Sequence, residues 1–579
     1  MKRISSYLII SIIIFSIASC KKFLDVTPQG VVTEGNVTTP ETVDGLVIAA
    51  YSWLPHEGII NQKLSPWLAD IKSDDSYKGG GGIGDQIPWY QWEIFTQNNA
   101  STGNNDGIWY AEYEGISRCN SALRALNALD ESVYPNKTQR IAEMKFLRGY
   151  FFLDLKRWYK WIPYFDENVS NDSIKTIINR PDTATSDLYL WQDIYNDFAA
   201  AANVLPATQT DAGRPTKYAA EGEMLECLMW MSYPQDINNK VTGVNTTTLS
   251  QALTVADDII NSGKYTLAPD FAENFLYDYD NKSPESIFEW QYSHDDGTTN
   301  GNLNGGTPLN APWWPPYFSC CDFHKASYDL LNAFRVDKDG IPMFDTFNNA
   351  EPEYNKTYFA MNSFDPRIGH TVAIPGLPWK YQQNLLFDSS GARDPNNFGY
   401  YNSLKENVES DCPGLVNLFW MWNSKNEIAI RYDRILLQKA EILIKLGREK
   451  EALPIINEIR QRAANSTDRL KFANGTSTLN YEISLYQDGV NCTWTNSFAW
   501  TALMWEDRLE FAMEGVRWYD LVRWGVAEPI INAYFAKEYP RGRPWMNGAH
   551  FTAGRDEFMP IPQPQINYSF GVYKQNIGY

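Results

Sequence analysis

The sequence predicts a mainly α fold. Tetratricopeptide-like helical hairpins would form a scaffold carrying long irregular loops and few short strands. Three observations lead there. Apolar residues recur at steps of three and four in neighbouring segments, Gly or Pro-Asn marks the turns between them, and long aromatic-rich stretches without helical period separate the pairs.

Taken in order, residues 1–19 read as a signal peptide and not as part of the fold. Lys2 and Arg3 form a basic start, an Ile-rich apolar run follows, and Ser16-Ile17-Ala18-Ser19 leads into Cys20. A small residue before Cys at that point predicts lipidation of Cys20, with residues 20–30 as a tether. The alternative is an ordinary secretory signal that leaves Cys20 a bystander. Acyl chains at about 0.8 kcal/mol per buried CH₂ would hold a soluble body at a membrane. Residues 31–579 then read as one globular unit, with halves of about 31–265 and 266–579.

The first hairpin pairs Ile108–Leu129 with Arg140–Trp158 across Pro135-Asn136. The second of these segments shows a stripe of Met144, Leu147, Phe151, Leu155 and Trp158. A second hairpin joins Asp187–Leu205 to Tyr218–Trp230 through a turn containing Gly213, and a helix over Leu249–Asn261 stops at Gly263. Glu427–Leu446 is predicted as a helix closed by Gly447, with Lys450–Arg462 as its return partner. The loops between are Lys72–Asn105, Ser293–Tyr317 and Phe364–Val408. Their Trp and Tyr content is poor for disorder, so they are read as ordered and functional.

Composition narrows the function. Among 579 residues, 70 acids outnumber 50 Lys and Arg, for a net charge of −20. Nucleic-acid binding, which Lys and Arg drive by displacing counterions, is disfavoured. The 21 Trp, 34 Tyr and 28 Phe suggest an aromatic stacking surface. After Cys20, six widely spaced Cys remain without a CxxC pair, which argues against structural zinc and for buried thiols or one or two bridges. Five scattered His do not form a metal spacing. Asp337-Lys338-Asp339-Gly340 begins like a calcium loop but meets Asn348 at its twelfth position, so it reads as a turn. No GxSxG, HExxH or phosphate loop is present. The many acids single out no glycosidase pair, so no enzyme and no cofactor is expected.

Several stretches resemble the SusD/RagB family of outer-membrane nutrient-binding lipoproteins. They are Cys20-Lys21-Lys22-Phe23-Leu24-Asp25, the segment Glu143 to Tyr159, and Gly213-Arg214-Pro215-Thr216-Lys217 followed by Ala219-Ala220. Further on come Arg431 to Glu441, Asn457-Glu458-Ile459-Arg460, Glu506 to Gly525, and Phe558 to Ile566 with Gln565 at a usual Glu position. Their shared order covers nearly the whole chain. The resemblance implies four tetratricopeptide-like helix pairs and a lipid-anchored, surface-exposed body at the outer membrane. It also implies an oligosaccharide ligand and a SusC-like TonB-dependent transporter as partner. Some relatives handle peptides, which leaves a peptide- or glycopeptide-binding protein, or a pure scaffold, as alternatives.

The motif residues Arg517, Trp518, Asp520, Arg523 and Trp524 fall on helical spacing and are read as helix-locking. Ligand contact is expected from loop aromatics held by the rigid scaffold. A sugar's apolar C–H face lies on an aromatic ring while its hydroxyl rim takes polar partners. The stacking candidates are Tyr77, Trp89 and Trp92 from one loop and Trp313, Trp314 and Tyr317 from another, with Asp74, Asp75, Gln91 and Asn310 as polar partners.

Overall fold

The computed structural model describes residues 39–54, 66–298, 301–305, 307–352, 356–416 and 422–579. The expected signal, Cys20 and the expected 20–30 tether lie outside the described residues. The fold is mainly helical with short strands, as the periodicity predicts. The helices used below are α1 (Pro40–Tyr51), α2 (Ile87–Ile94), α3 (Asn105–Ala128), α4 (Lys137–Tyr159), α5 (Leu188–Ala202), α6 (Lys217–Ser232), α7 (Thr246–Asn261), α8 (Tyr432–Lys445), α9 (Glu449–Asn465), α10 (Asn496–Phe511), α11 (Val516–Trp524) and α12 (Ala527–Glu538). The strands are β1 (Ser76–Gly79), β2 (Ser286–Trp290), β3 (Trp313–Trp314), β4 (Phe318–Ser319), β5 (Phe323–Ala326), β6 (Val372–Ala373), β7 (Asn402–Ser403) and β8 (Glu427–Arg431).

From α3 to α10 each helix packs on the next, and α7 packs directly on α8 although residues 262–431 intervene. The array is therefore continuous in space and interrupted in sequence. Its ends are set by local chemistry. The side chains of Thr216, Asn245 and Thr495 accept hydrogen bonds from first-turn amides of α6, α7 and α10. Gly447, at φ +74°, takes the left-handed conformation after α8, and the amide of Arg448 returns to the carbonyl of Leu443 at 2.8 Å. Asp337 makes the turn expected of it: its Oδ1 accepts from the amides of Asp339 and Ile341.

Three expectations need correction. Glu427–Arg431 is not helix but strand β8, paired antiparallel with β2, and the helix begins at Tyr432. Residues 427–431 pair with a segment some 140 positions upstream, which no local pattern reveals. The 72–105 stretch is not wholly loop, since it contains β1 and α2. In α2, Trp89, Trp92 and Glu93 make an inward helical stripe. Helix α4, predicted with one apolar stripe, is covered nearly all round and buries Glu143, Arg148, Asp154 and Lys156 as well.

Buried ion pairs bind the C-terminal helices. Arg367 meets Asp365 at 2.6 Å and Glu506 at 3.0 Å, Arg460 pairs with Glu506, and Arg462 pairs with Glu285 and Glu510. Arg434 joins Asp507 and Asp520, while Arg523 joins Glu441 and Asp520. The helix-locking reading of the motif residues is thus borne out for Asp520 and Arg523. Trp518 is interior, with its ring 4.6 Å from the Lys72 ammonium. Apart from the main core, Ala311, Trp314, Phe318, Ala373, Trp379, Phe387 and Leu404 form a separate apolar cluster. Cys320 and Cys321 are neighbours at the end of the hairpin, while Cys119, Cys227 and Cys412 are buried.

Candidate functional site

The site grows from a lysine. Lys78, in β1, donates from Nζ to the carbonyls of Gly79 (2.9 Å), Gly82 (3.0 Å) and Asp85 (2.5 Å), so the glycine run curls around one ammonium. Burial lowers its pKa to about 8. Glycine is needed here: Gly80 sits at φ +82°, and a Cβ on it would come within 2.5 Å of the Phe323 ring. The curl ends in Asp85 and Gln86 at the start of α2.

Strand β1 pairs antiparallel with β5, placing Gly79 opposite Phe323. This brings the hairpin β3–β4 alongside, with Trp313 opposite Ser319 and Trp314 opposite Phe318. Successive strand residues point to opposite faces. Trp314 and Phe318 turn inward, with the Trp314 ring 5.9 Å from Trp379 and 5.3 Å from Phe387. Trp313 turns outward and is 47 % exposed. The Arg393 guanidinium lies 6.0 Å from its ring centre and donates to Asp85 Oδ2 at 3.0 Å and to the Cys321 carbonyl at 2.9 Å.

These parts enclose an open cleft of about 250 Å³ between the two excursions, with Asp85, Gln86, Trp89, Trp313, Ser319 and Arg393 among its lining residues. Phe323 and the Cys320–Cys321 pair complete its wall. A flat indole beside a guanidinium, a carboxylate, an amide and a hydroxyl can hold a ligand that is apolar on its faces and rich in hydroxyls at its edge.

Of the expected residues, the cleft brings together Trp89 and Trp313. Trp89 is almost wholly covered, edge-on to Phe323 at 5.0 Å. Tyr317, 36 % exposed, sits at the hairpin tip with its ring 5.0 Å from Trp314. The other placements correct the expectation of a single water-facing shelf. Trp92 is fully interior, edge-on to Trp158 at 5.8 Å, because α2 turns its 89/92 stripe inward. Tyr77 is interior; its hydroxyl donates to Glu538 and accepts the Tyr328 amide at 2.9 Å. Trp314 belongs to the satellite cluster.

Asp74 and Asp75 are not at the cleft but face arginines: Asp74 Oδ1 is 2.9 Å from Arg517 Nε, and Asp75 Oδ1 is 2.8 Å from Arg508 Nε. Burial pushes the Asp74 carboxyl up, but the Arg508 and Arg517 guanidiniums outweigh it and hold the pKa at about 2. Asn310 is interior and donates to Glu406. Gln91 is half-buried on α2, outside the cleft lining.

Next to Asn310, His324 is a buried imidazole with Nδ1 2.8 Å from Glu406 Oε2 and Nε2 3.2 Å from Asp70 Oδ2. Burial lowers its pKa, yet Glu406 and Asp70 more than reverse that and raise it to about 9. The sequence reading missed Asp85, Gln86, Ser319 and Arg393. Arg393 lies in the flagged 364–408 loop, where the only other arginine is Arg367.

The fold recurs in known proteins. A SusD superfamily protein from Bacteroides vulgatus superposes with TM-score 0.66 at 20% identity, covering 93% of this chain and 99% of that one. The surface glycan-binding protein A from Bacteroides thetaiotaomicron, in complex with laminarihexaose, gives TM-score 0.63 at 20% identity, with 93% and 100% covered. SusD-like protein P2 of Formosa agariphila is 21% identical over 580 residues, 98% of each chain. The family described as "Starch-binding associating with outer membrane" matches residues 22–225. Among the described residues no helix is long and apolar enough to cross a membrane. The SusD family itself matches residues 284–579, more than half of the sequence and the part that holds the buried arginine lattice, the hairpin and α8–α12, so this chain belongs to the SusD family.

Proposed function

We propose that this protein is a lipid-anchored outer-membrane binding protein that captures an oligosaccharide in the Trp313 cleft and delivers it to a SusC-like TonB-dependent transporter, without chemistry of its own. The observation that carries the reading is the outward Trp313 ring. It is a large apolar face left in water by a hairpin that packs Trp314 and Phe318 away, with Arg393, Asp85, Gln86 and Ser319 around it. Relatives named for glycan binding, one of them bound to laminarihexaose and another a laminarin-binding SusD-like protein, support the ligand class. Anchoring rests on Cys20 after its apolar leader.

Sugar hydroxyls exchange water for protein at about 1 kcal/mol net per hydrogen bond, so stacking at Trp313 supplies much of the affinity. Calorimetry of the protein against a glycan panel, repeated with Trp313→Ala, tests the reading. One responding glycan, weakened at least about tenfold in the variant, is expected. A response to peptides alone would make this a peptide-binding relative. Loss of transporter assembly with glycan binding intact would make the hairpin a docking element.

A further inference from the structure

The helical array holds a second cavity, of about 160 Å³, that shares no lining residue with the cleft. One water needs about 10–15 Å³ of such space, so there is room for a small organic ion. Its wall comes from α4, α6, α8, α10, α11, β2 and β8. Tyr150, Trp290 and Tyr519 give it aromatic sides, the first two with rings 6.0 Å apart and edge-on. The Tyr519 hydroxyl has no hydrogen-bond partner although the residue is 6 % exposed.

The cavity's arginines are already committed. Arg157 is paired with Asp154, Arg434 with Asp507 and Asp520, and Arg431 with Asp433 and Glu514. Glu226 accepts from Trp230 Nε1 and Gln438 Nε2. Glu223 is left over. It is 6 % exposed, it lines the cavity, and its carboxylate is in none of the ion pairs that commit Arg157, Arg431 and Arg434. A buried carboxylate without a partner is costly, and a proton or a cation can relieve it. Aromatic faces beside a carboxylate suit an organic ammonium. No group of three or more His, Cys, Asp or Glu among the described residues is placed to hold a metal ion.

We propose that this cavity binds a small protonated amine, with Glu223 as its counter-ion and Tyr150, Trp290 and Tyr519 as its walls. The site is independent of the glycan cleft. Burial pushes the Glu223 pKa up to about 8; Arg157 opposes this, and Glu226 and Asp154 add to it. Glu427 and Arg431 on β8, Arg434 on α8, and Glu514 just before α11 also face the cavity. Near neutral pH Glu223 therefore holds a proton, which the incoming ammonium releases to solvent.

The test titrates the full chain with methylammonium chloride, against sodium chloride at equal ionic strength, by calorimetry and thermal unfolding. Binding is expected to be about tenfold tighter at pH about 8.5 than at about 6.5. At pH about 6.5 it should come with release of about one proton, and at about 8.5 with much less, read from heats in buffers of different ionisation enthalpy. Glu223→Gln should lose the response. An equal effect of sodium chloride, no response to methylammonium, or an unchanged response in Glu223→Gln overturns the proposal. Should that variant fail to fold, binding to the natural protein at pH about 6.5 without proton release overturns it.

Discussion

The arginine lattice and the aromatic hairpin are made of the residue types that suggest ligand capture, and they use them in opposite ways. In the lattice, Arg508 reaches Asp74, Asp75 and Asp329, and every group is nearly or wholly covered. In the hairpin, adjacent tryptophans divide, with Trp314 packed and Trp313 in water. Charge in the first region holds together segments far apart in sequence, whereas in the second Trp313, and Tyr317 in part, stay open to water. Abundance of a residue type therefore says little about function until its partners are known.

The largest test of that contrast is Arg508→Ala. Removing one partner from a buried charge cluster costs about 3–5 kcal/mol, so denaturant unfolding should shift strongly while Trp313→Ala stays within about 0.5 kcal/mol of the natural protein. Trp92→Ala should cost about 3–5 kcal/mol, since its ring is core. If Trp92→Ala left stability unchanged and abolished ligand binding, the division between packed and presented rings would fail.

His324 gives a pH test of similar size. Its folded pKa of about 9 lies above the ordinary value of 6.5. The stability it contributes is therefore fully present below pH 6.5 and lost as pH rises through about 9, a change of order 3 kcal/mol. Urea midpoints across that range should fall in the natural protein and flatten in His324→Gln.

A smaller effect is expected from Lys78→Met. The carbonyls of Gly79, Gly82 and Asp85 would lose their shared donor at about 1–3 kcal/mol, and glycan affinity should fall because Asp85 and Gln86 lose their frame. Unchanged affinity would detach the glycine curl from the site. The least effect is expected from Thr495→Ala, which uncaps α10 and should cost about 1 kcal/mol in thermal unfolding.

The scaffold was legible because its signals are local. Steps of three and four mark α3 to α9, and Gly447 marks the end of α8. Strand β8 was illegible because its partner β2 lies in a distant segment, and five residues of Glu-Ile-Ala-Ile-Arg continue the helical apolar pattern that follows. Asp74 and Asp75 look like free loop acids until Arg508 and Arg517, more than 400 positions on, are brought against them. Trp313 and Trp314 are identical neighbours, and only the register against Ser319 and Phe318 decides which one faces out.

The direct packing of α7 on α8 has a topological consequence. The frame closes behind the departing chain, and β2 with β8 fastens the exit and return, so the stretch between Asn261 and Tyr432 is a long excursion that leaves and rejoins the array at one place. Glu285, Asp329 and Arg367 pin that excursion back onto Arg462, Arg508 and Glu506, so a change deep in it is felt by the helices on either side.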